Sequence, residues 1–199
     1  MTHDFIAIGD IVTDAFIHLK DPSAHIDIDH GVREICFRFG DKVPYEEVYI
    51  LPAVGNSANP ALSAARLGLK SALVSNLGDD YFGKECMDAL AQEHVDARYV
   101  KTHAGRKTNY HYVHCDEAER TILIKHEKYE YNLPEISEPK WIYFSSVSET
   151  AFPFHNEVAD YLDNHKDVRL AFQPGKNEIK LGKEKLKKPI KILKKEIII

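Results

Sequence analysis

Side chains able to do chemistry gather in two places in the first third of the chain. Asp14 stands among Ala15, Phe16, Ile17 and Leu19, where a carboxylate must find donors or become costly to bury. It reads either as an ordinary cap or turn aspartate or as a binding group. The second place is the Gly55-Asn56-Ser57 loop followed by Asn59 and Pro60. Asn59 is a good helix N-cap and proline is harmless in a first turn, so a helix is expected to begin there. Other candidate motifs fail on their own terms. Gly78 to Lys84, GDDYFGK, matches the spacing of a phosphate loop, but Glu85 replaces the hydroxyl that should reach magnesium. Asp79 and Asp80 would also oppose a phosphate. Only one glycine follows the first strand, so a dinucleotide fingerprint is absent. His111 and His114 lie three apart in an expected strand and point to opposite faces. Cys36, Cys86 and Cys115 lack paired spacing, so no metal site is expected. Ser146-Val147-Ser148 has no flanking glycines of a nucleophile elbow.

These residues need a scaffold, and the stretch from Ala53 to Gly83 supplies its grammar. An Ala-rich and Leu-rich helix is expected to Leu67, with Arg66 near its C-terminus and Gly68 to end it. Ala72-Leu73-Val74 reads as a strand covered on both faces, after which Asp79 or Asp80 caps a helix with Phe82, Cys86 and Leu90 on one side. Upstream, Phe5 to Ile8 reads as a central parallel strand with Gly9-Asp10 at its carboxyl end, where ligands gather in open α/β sheets. Downstream, Trp141 to Phe144, a helix from Pro153 to His165, Val168 to Phe172 and a last strand beginning at Glu196 repeat the alternation. Ser145, Ser146 and Gln173 stand at strand ends, as turn residues or as ligand contacts. Two stretches break the pattern. Ile35, Phe37 and Phe39 followed by Gly40-Asp41 and Tyr45 to Ile50 read as one hairpin, and Asn109 to Lys125 as another.

Gly55, Asn59, Arg66, Gly68, Gly78, Asp79 and Gly83 in one register, with Ile8-Gly9-Asp10-Ile11 and Asp14 upstream, resemble the N-terminal signature of the ribokinase-like (PfkB) family of carbohydrate and nucleoside kinases. The likeness extends more weakly to about Gly175. It implies an α/β fold with a ribokinase-like three-layer αβα core (1–30, 52–96, 133–199) and a small antiparallel β lid (31–51, 97–132). It also implies phosphotransfer from ATP, with Mg2+, to a primary hydroxyl of a sugar or nucleoside. On this resemblance Asp14, Gly55, Asn56 and Asn59 would bind substrate: a carboxylate accepts two hydroxyls, and glycine lets the backbone approach the sugar. The family's catalytic aspartate belongs to a Gly-Ala-Gly-Asp segment that this sequence lacks, and the family's Asn-x-x-Glu would follow the strand at Glu196 to Ile199. A truncated chain is therefore expected, inactive alone, without a catalytic residue or the main ATP and Mg2+ site. Val12 stands where ribokinases have asparagine, and Val54 replaces the first glycine of their pair, so ribose itself is disfavoured.

Length and composition suit one soluble domain: 199 residues, 44% hydrophobic and 29% charged, with no apolar run near the ~20 residues of a membrane helix. The N-terminus lacks a signal-peptide pattern, and three scattered cysteines fit reduced thiols, so a cytoplasmic address is expected. The net charge of −5 conceals a basic tail from Lys176 onward, with nine Lys against three Glu. Leu181, Leu186, Ile190 and Leu193 recur there at near-helical spacing with no aromatic to stack a base, so the lysines read as a wet helix face and no nucleic-acid partner is expected. A homodimer through the lid is expected. Two other function classes fit the residues less specifically: a non-catalytic sugar-binding or dimerisation module with a vestigial pocket, and half of a nucleotide-binding oxidoreductase.

Overall fold

The computed structural model describes residues 2–20, 25–116, 119–147, 151–176, 178–179 and 197–198. The tail expected to form a helix through Leu181 to Leu193 lies outside these. The chain divides into two units, 1–13 with 52–109 and 126–199, and 14–51 with 110–125.

The first unit is built on a six-stranded sheet in the order β12-β11-β10-β1-β6-β7: β1 (Phe5–Ile8), β6 (Ser71–Gly78), β7 (Val100–His103), β10 (Trp141–Phe144), β11 (Arg169–Phe172) and β12 (Ile197–Ile198). Every pairing is parallel, with Ile8 beside both Val74 and Phe144. α1 (Ala58–Arg66) and α2 (Tyr81–Gln92) bury Ala58, Ala61, Cys86 and Leu90 against Ala7, Leu73 and Leu77. On the other face α3 (Phe152–Asn164) places Phe154, Val158 and Leu162 against Ile6, Ile8, Val74 and Phe144. The alternation of the strands thus feeds two cores, and the unit is three-layered αβα as the helix and strand periods require. β1 has β6 on one side and β10 on the other. The order of strands reverses beside it, which opens a crevice at its carboxyl end.

The second unit contains most of β2 (Val12–Leu19) and β5 (Tyr45–Val54), together with β8 (Tyr110–Asp116) and β9 (Glu119–Leu123), in a four-stranded sheet ordered β5-β2-β8-β9. β3 (His25–Asp29) and β4 (Val32–Cys36) form a separate antiparallel pair. The hairpin expected at Asn109 to Lys125 is present as β8 and β9, with Tyr112 beside Leu123. The other expected hairpin is not. The turn is real, since Gly40 has φ +75° and the Asp41 amide donates to the Arg38 carbonyl, but β5 pairs with β2 and β4 pairs with β3. The bounds of the insert also differ from expectation. They begin at Asp14, because β2 is long, and leave out 97–109, because β7 pairs with β6 in the parallel sheet.

Candidate functional site

Gly9 ends β1 with φ +151°, and a side chain there would lie 2.3 Å from Ser57 Oγ, 2.5 Å from Ser145 Oγ and 3.2 Å from the Ser146 carbonyl. Only a residue without Cβ lets the loop before α1 and the end of β10 meet at the crevice. Ser57 and Ser145 seal the junction with a 2.6 Å hydrogen bond between fully buried hydroxyls. The pair was weakly signalled in sequence, because its members are 88 residues apart.

That bond explains how α1 starts. Asn59, the expected cap, is the second residue of the helix, and Ser57 holds the cap position. Because the Ser57 hydroxyl is engaged with Ser145, no side chain caps the helix and no acid occupies its first turn. The positive end of the helix is left to whatever lies beside it. Gly55, at φ +111°, has the Asp10 carbonyl 3.3 Å from where its Cβ would stand and Val12 at 3.6 Å. Ala53 is held at φ +56° with its amide on Cys86 Sγ at 3.2 Å, a conformation costly for a residue with a Cβ. Asn56 and Asn59 are both exposed. Gly55, Asn56 and Asn59 therefore belong to one rigid loop and helix start in the first unit, against the segment Gly9 to Thr13. Asp14 opens the second unit, where its Oδ1 lies 3.2 Å from His111 Nδ1 and both side chains are largely buried.

Asp10 follows Gly9 at the carboxyl end of β1. Its Oδ1 accepts a 2.5 Å hydrogen bond from the Tyr131 hydroxyl, and Oδ2 lies 3.4 Å from His126 Nδ1. The carboxylate raises the pKa of His126 against the opposing effect of burial. At the next strand end, Glu178 accepts from the Gly175 amide at 2.9 Å and the Val147 amide at 3.3 Å, with His155 Nε2 also at 3.3 Å. Burial alone would raise its pKa, yet the bonds from His155, Ser146 and backbone amides hold it below the usual range. The ends of β10 and β11 are thereby tied together.

The loop with phosphate-loop spacing is a capped helix start. Asp80 accepts from the Gly83 amide at 3.0 Å, the Thr108 hydroxyl at 2.6 Å and the Thr108 amide at 3.1 Å, while Asp79 accepts from the Gly105 amide at 3.0 Å. A Cβ on Gly83 would meet the Gly78 carbonyl at 2.1 Å, so that glycine serves packing. Among the described residues no group of three His, Cys, Asp or Glu side chains is placed to hold a metal. No helix there is long and apolar enough to cross a membrane.

The model of the pfkB family carbohydrate kinases matches residues 25–188. The chain is 31% identical over 125 residues to a fructokinase of Klebsiella pneumoniae, covering 57% of this chain and 39% of that one. It is 28% identical over 99 residues to a ribokinase of Haemophilus influenzae, covering 50% and 32%. The chain thus spans well under half the length of these two relatives. Among solved structures, a Methanocaldococcus jannaschii nucleoside kinase of the ribokinase family is similar with TM-score 0.68 at 12% identity, covering 96% of this chain and 60% of that one. Arabidopsis thaliana ribokinase complexed with ribose and ATP gives TM-score 0.67 at 15% identity, covering 100% and 71%. These two likenesses establish the fold.

Proposed function

Because the chain belongs to the pfkB family of carbohydrate kinases, we propose that it is the substrate-binding part of an enzyme that transfers the γ-phosphoryl group of ATP to a primary hydroxyl of a sugar or nucleoside. The supporting observation is the convergence at Gly9: an uncapped helix start, a glycine loop at positive φ and the crevice beside the central strand share one place. In this reading Gly55 lets the backbone approach the substrate, and Asn56 and Asn59 offer amide groups to its hydroxyls. The Asp14 carboxylate, whose Oδ1 lies 3.2 Å from His111 Nδ1 but makes no hydrogen bond among the described residues, accepts from two hydroxyls.

Val12 is buried against Gly55, so the wall that an asparagine would make polar is apolar here, and a ligand other than ribose fits this reading better. Phosphoryl transfer also needs magnesium to spread charge and a base for the hydroxyl proton. The 199 residues contain no Gly-Ala-Gly-Asp segment, so this reading assigns the base to no residue of this chain. The chain on its own binds substrate and does not turn it over, and a cytoplasmic address accords with that role.

Pairing of two copies through the second unit is part of the same proposal. Val48, Tyr49, Ile50 and Leu51 of β5 and Leu123 of β9 are all exposed, which favours cover by a second chain. Should that pairing persist in a chain that binds no substrate, the non-catalytic module becomes the better reading. Thermal melting of the 199-residue chain against a panel of hexoses, pentoses, their phosphates and nucleosides tests the proposal. A concentration-dependent rise in melting temperature with one class supports it, whereas no rise with any, or ATP-dependent phosphorylation by this chain alone, contradicts it.

A further inference from the structure

We propose that the first unit carries a second binding site, for a small oxyanion, on the face of the sheet opposite α1. The site is a cavity of about 150 Å³ whose lining includes Asn76, Lys101, Tyr131 and Phe154, room enough for several waters or one compact ion. It lies on the α3 side, with Val74 and Phe154, whereas the Gly55 loop leads into the helix that packs on the other core.

β6 and β7 are in parallel register there, Asn76 beside Lys101 and Gly78 beside His103, so Asn76, Lys101 and His103 share one face. Asn76 is only 8% exposed, and its Oδ1 is 2.8 Å from His103 Nε2. An amide oxygen only accepts, so this ring nitrogen carries the proton and donates. Burial first, then the neighbouring Lys101 and Arg106 charges, keep the pKa of His103 below the usual range despite Glu130, so the ring is neutral near pH 7.

The bond fixes which way the amide faces. With Oδ1 engaged by His103, the Asn76 amide is left with its Nδ2 donors to offer at the cavity wall. Lys101 adds a positive charge at the same cavity, while the Tyr131 hydroxyl is already committed to Asp10. Amide donors and an ammonium between aromatic walls are complementary to a small group that accepts hydrogen bonds and carries negative charge. A phosphate and a carboxylate both have that chemistry. The cavity borders the crevice at Gly9, but the groups proposed to hold the anion, Asn76 and Lys101, are not those proposed to hold the sugar, so the two proposals can fail separately.

The test is titration of the 199-residue chain with inorganic phosphate and, separately, acetate, followed by backbone amide NMR shifts. Saturable shifts centred on Asn76 and Lys101 are expected with at least one of them. A response to phosphate alone identifies a phosphate group, and a response to acetate alone a carboxylate. Lys101→Met, a change at an exposed position, should weaken binding about ten-fold, the worth of one charge-assisted hydrogen bond. Asn76→Asp keeps an acceptor for His103 while replacing the donors by a negative charge, and should abolish binding in a chain that retains its fold. The proposal is overturned if neither anion gives saturable shifts, if the shifts centre on Gly55 to Asn59, or if either variant binds as the parent does.

Discussion

β6 and β5 are strands of similar apolar character with opposite fates. Every residue of β6 is buried, including Ser71, Ser75 and Asn76, while Tyr45 to Leu51 of β5 are all exposed. The difference comes from neighbours. β6 lies between β1 and β7, with α1 and α2 covering one face and the α3 layer the other, so even its polar residues are carried inside. The second unit has strands and no helix among its described residues. β5 is an edge strand whose exposed run points to both faces of the sheet, and exposed apolar side chains of this kind favour cover by another chain, which the proposed function assigns to a second copy.

The contrast can be broken by substitution. Leu73→Ala, in the fully buried part of β6, should cost about 3 kcal/mol, read as a fall in the denaturant midpoint. A loss below ~1 kcal/mol would mean that the two-core packing is looser than described. Gly9→Ala should cost about 2 kcal/mol, because a Cβ meets Ser57 and Ser145 and φ is unfavourable, and it should also abolish the sugar-induced rise in melting temperature. Retention of that rise would detach the crevice from binding.

Asp80→Asn sharpens the picture through pH. Burial pushes the Asp80 carboxyl up, but the Thr108 hydroxyl and the Thr108 and Gly83 amides prevail and hold it below the ordinary range. Its folded pKa is therefore lower than its unfolded one. The stability it contributes is complete above the unfolded value of about 3.9 and drains away as pH falls through the folded value. The parent chain should lose more stability than Asp80→Asn on going from pH 5 to pH 2, by denaturant titration at each pH. Equal losses would remove Asp80 from the account. Smallest of all, Leu123→Ser should change unfolding free energy by less than ~0.5 kcal/mol, since Leu123 is 66% exposed. Its effect should appear instead in sedimentation, as a weaker dimer.

The same contrast marks how far the sequence could be read. Within the first unit, local signals sufficed: the small-residue run ending at Gly68 marked α1, the Asp79-Asp80 pair marked the α2 cap without saying which of the two it was, and unbroken apolar runs marked β1, β6 and β10. In the second unit the partner of a strand had to be known, and alternation does not say which strand that is. Tyr45 to Ile50 was legible as a strand, but its pairing with β2 rather than with the residues before Gly40 was not. The site was legible in its loop and not in its supports. Gly55, Asn56 and Asn59 were found from turn and helix chemistry, yet the cap is Ser57, because Ser145 recruits its hydroxyl from another strand end. The partner of Asp10 was not legible in the sequence, because Tyr131, which binds it, is 121 residues away.

The part of the proposed function that can be tested most directly is that the carboxylate at position 14 binds a hydroxyl-bearing ligand. Calorimetric titration of the parent chain and of Asp14→Asn with the best sugar or nucleoside from the melting panel tests it most directly. The account predicts saturable heat for the parent and a loss of at least about ten-fold in affinity for Asp14→Asn, the value of a hydrogen bond to a charged group. Equal affinity in the two chains, or no heat in the parent, would contradict it.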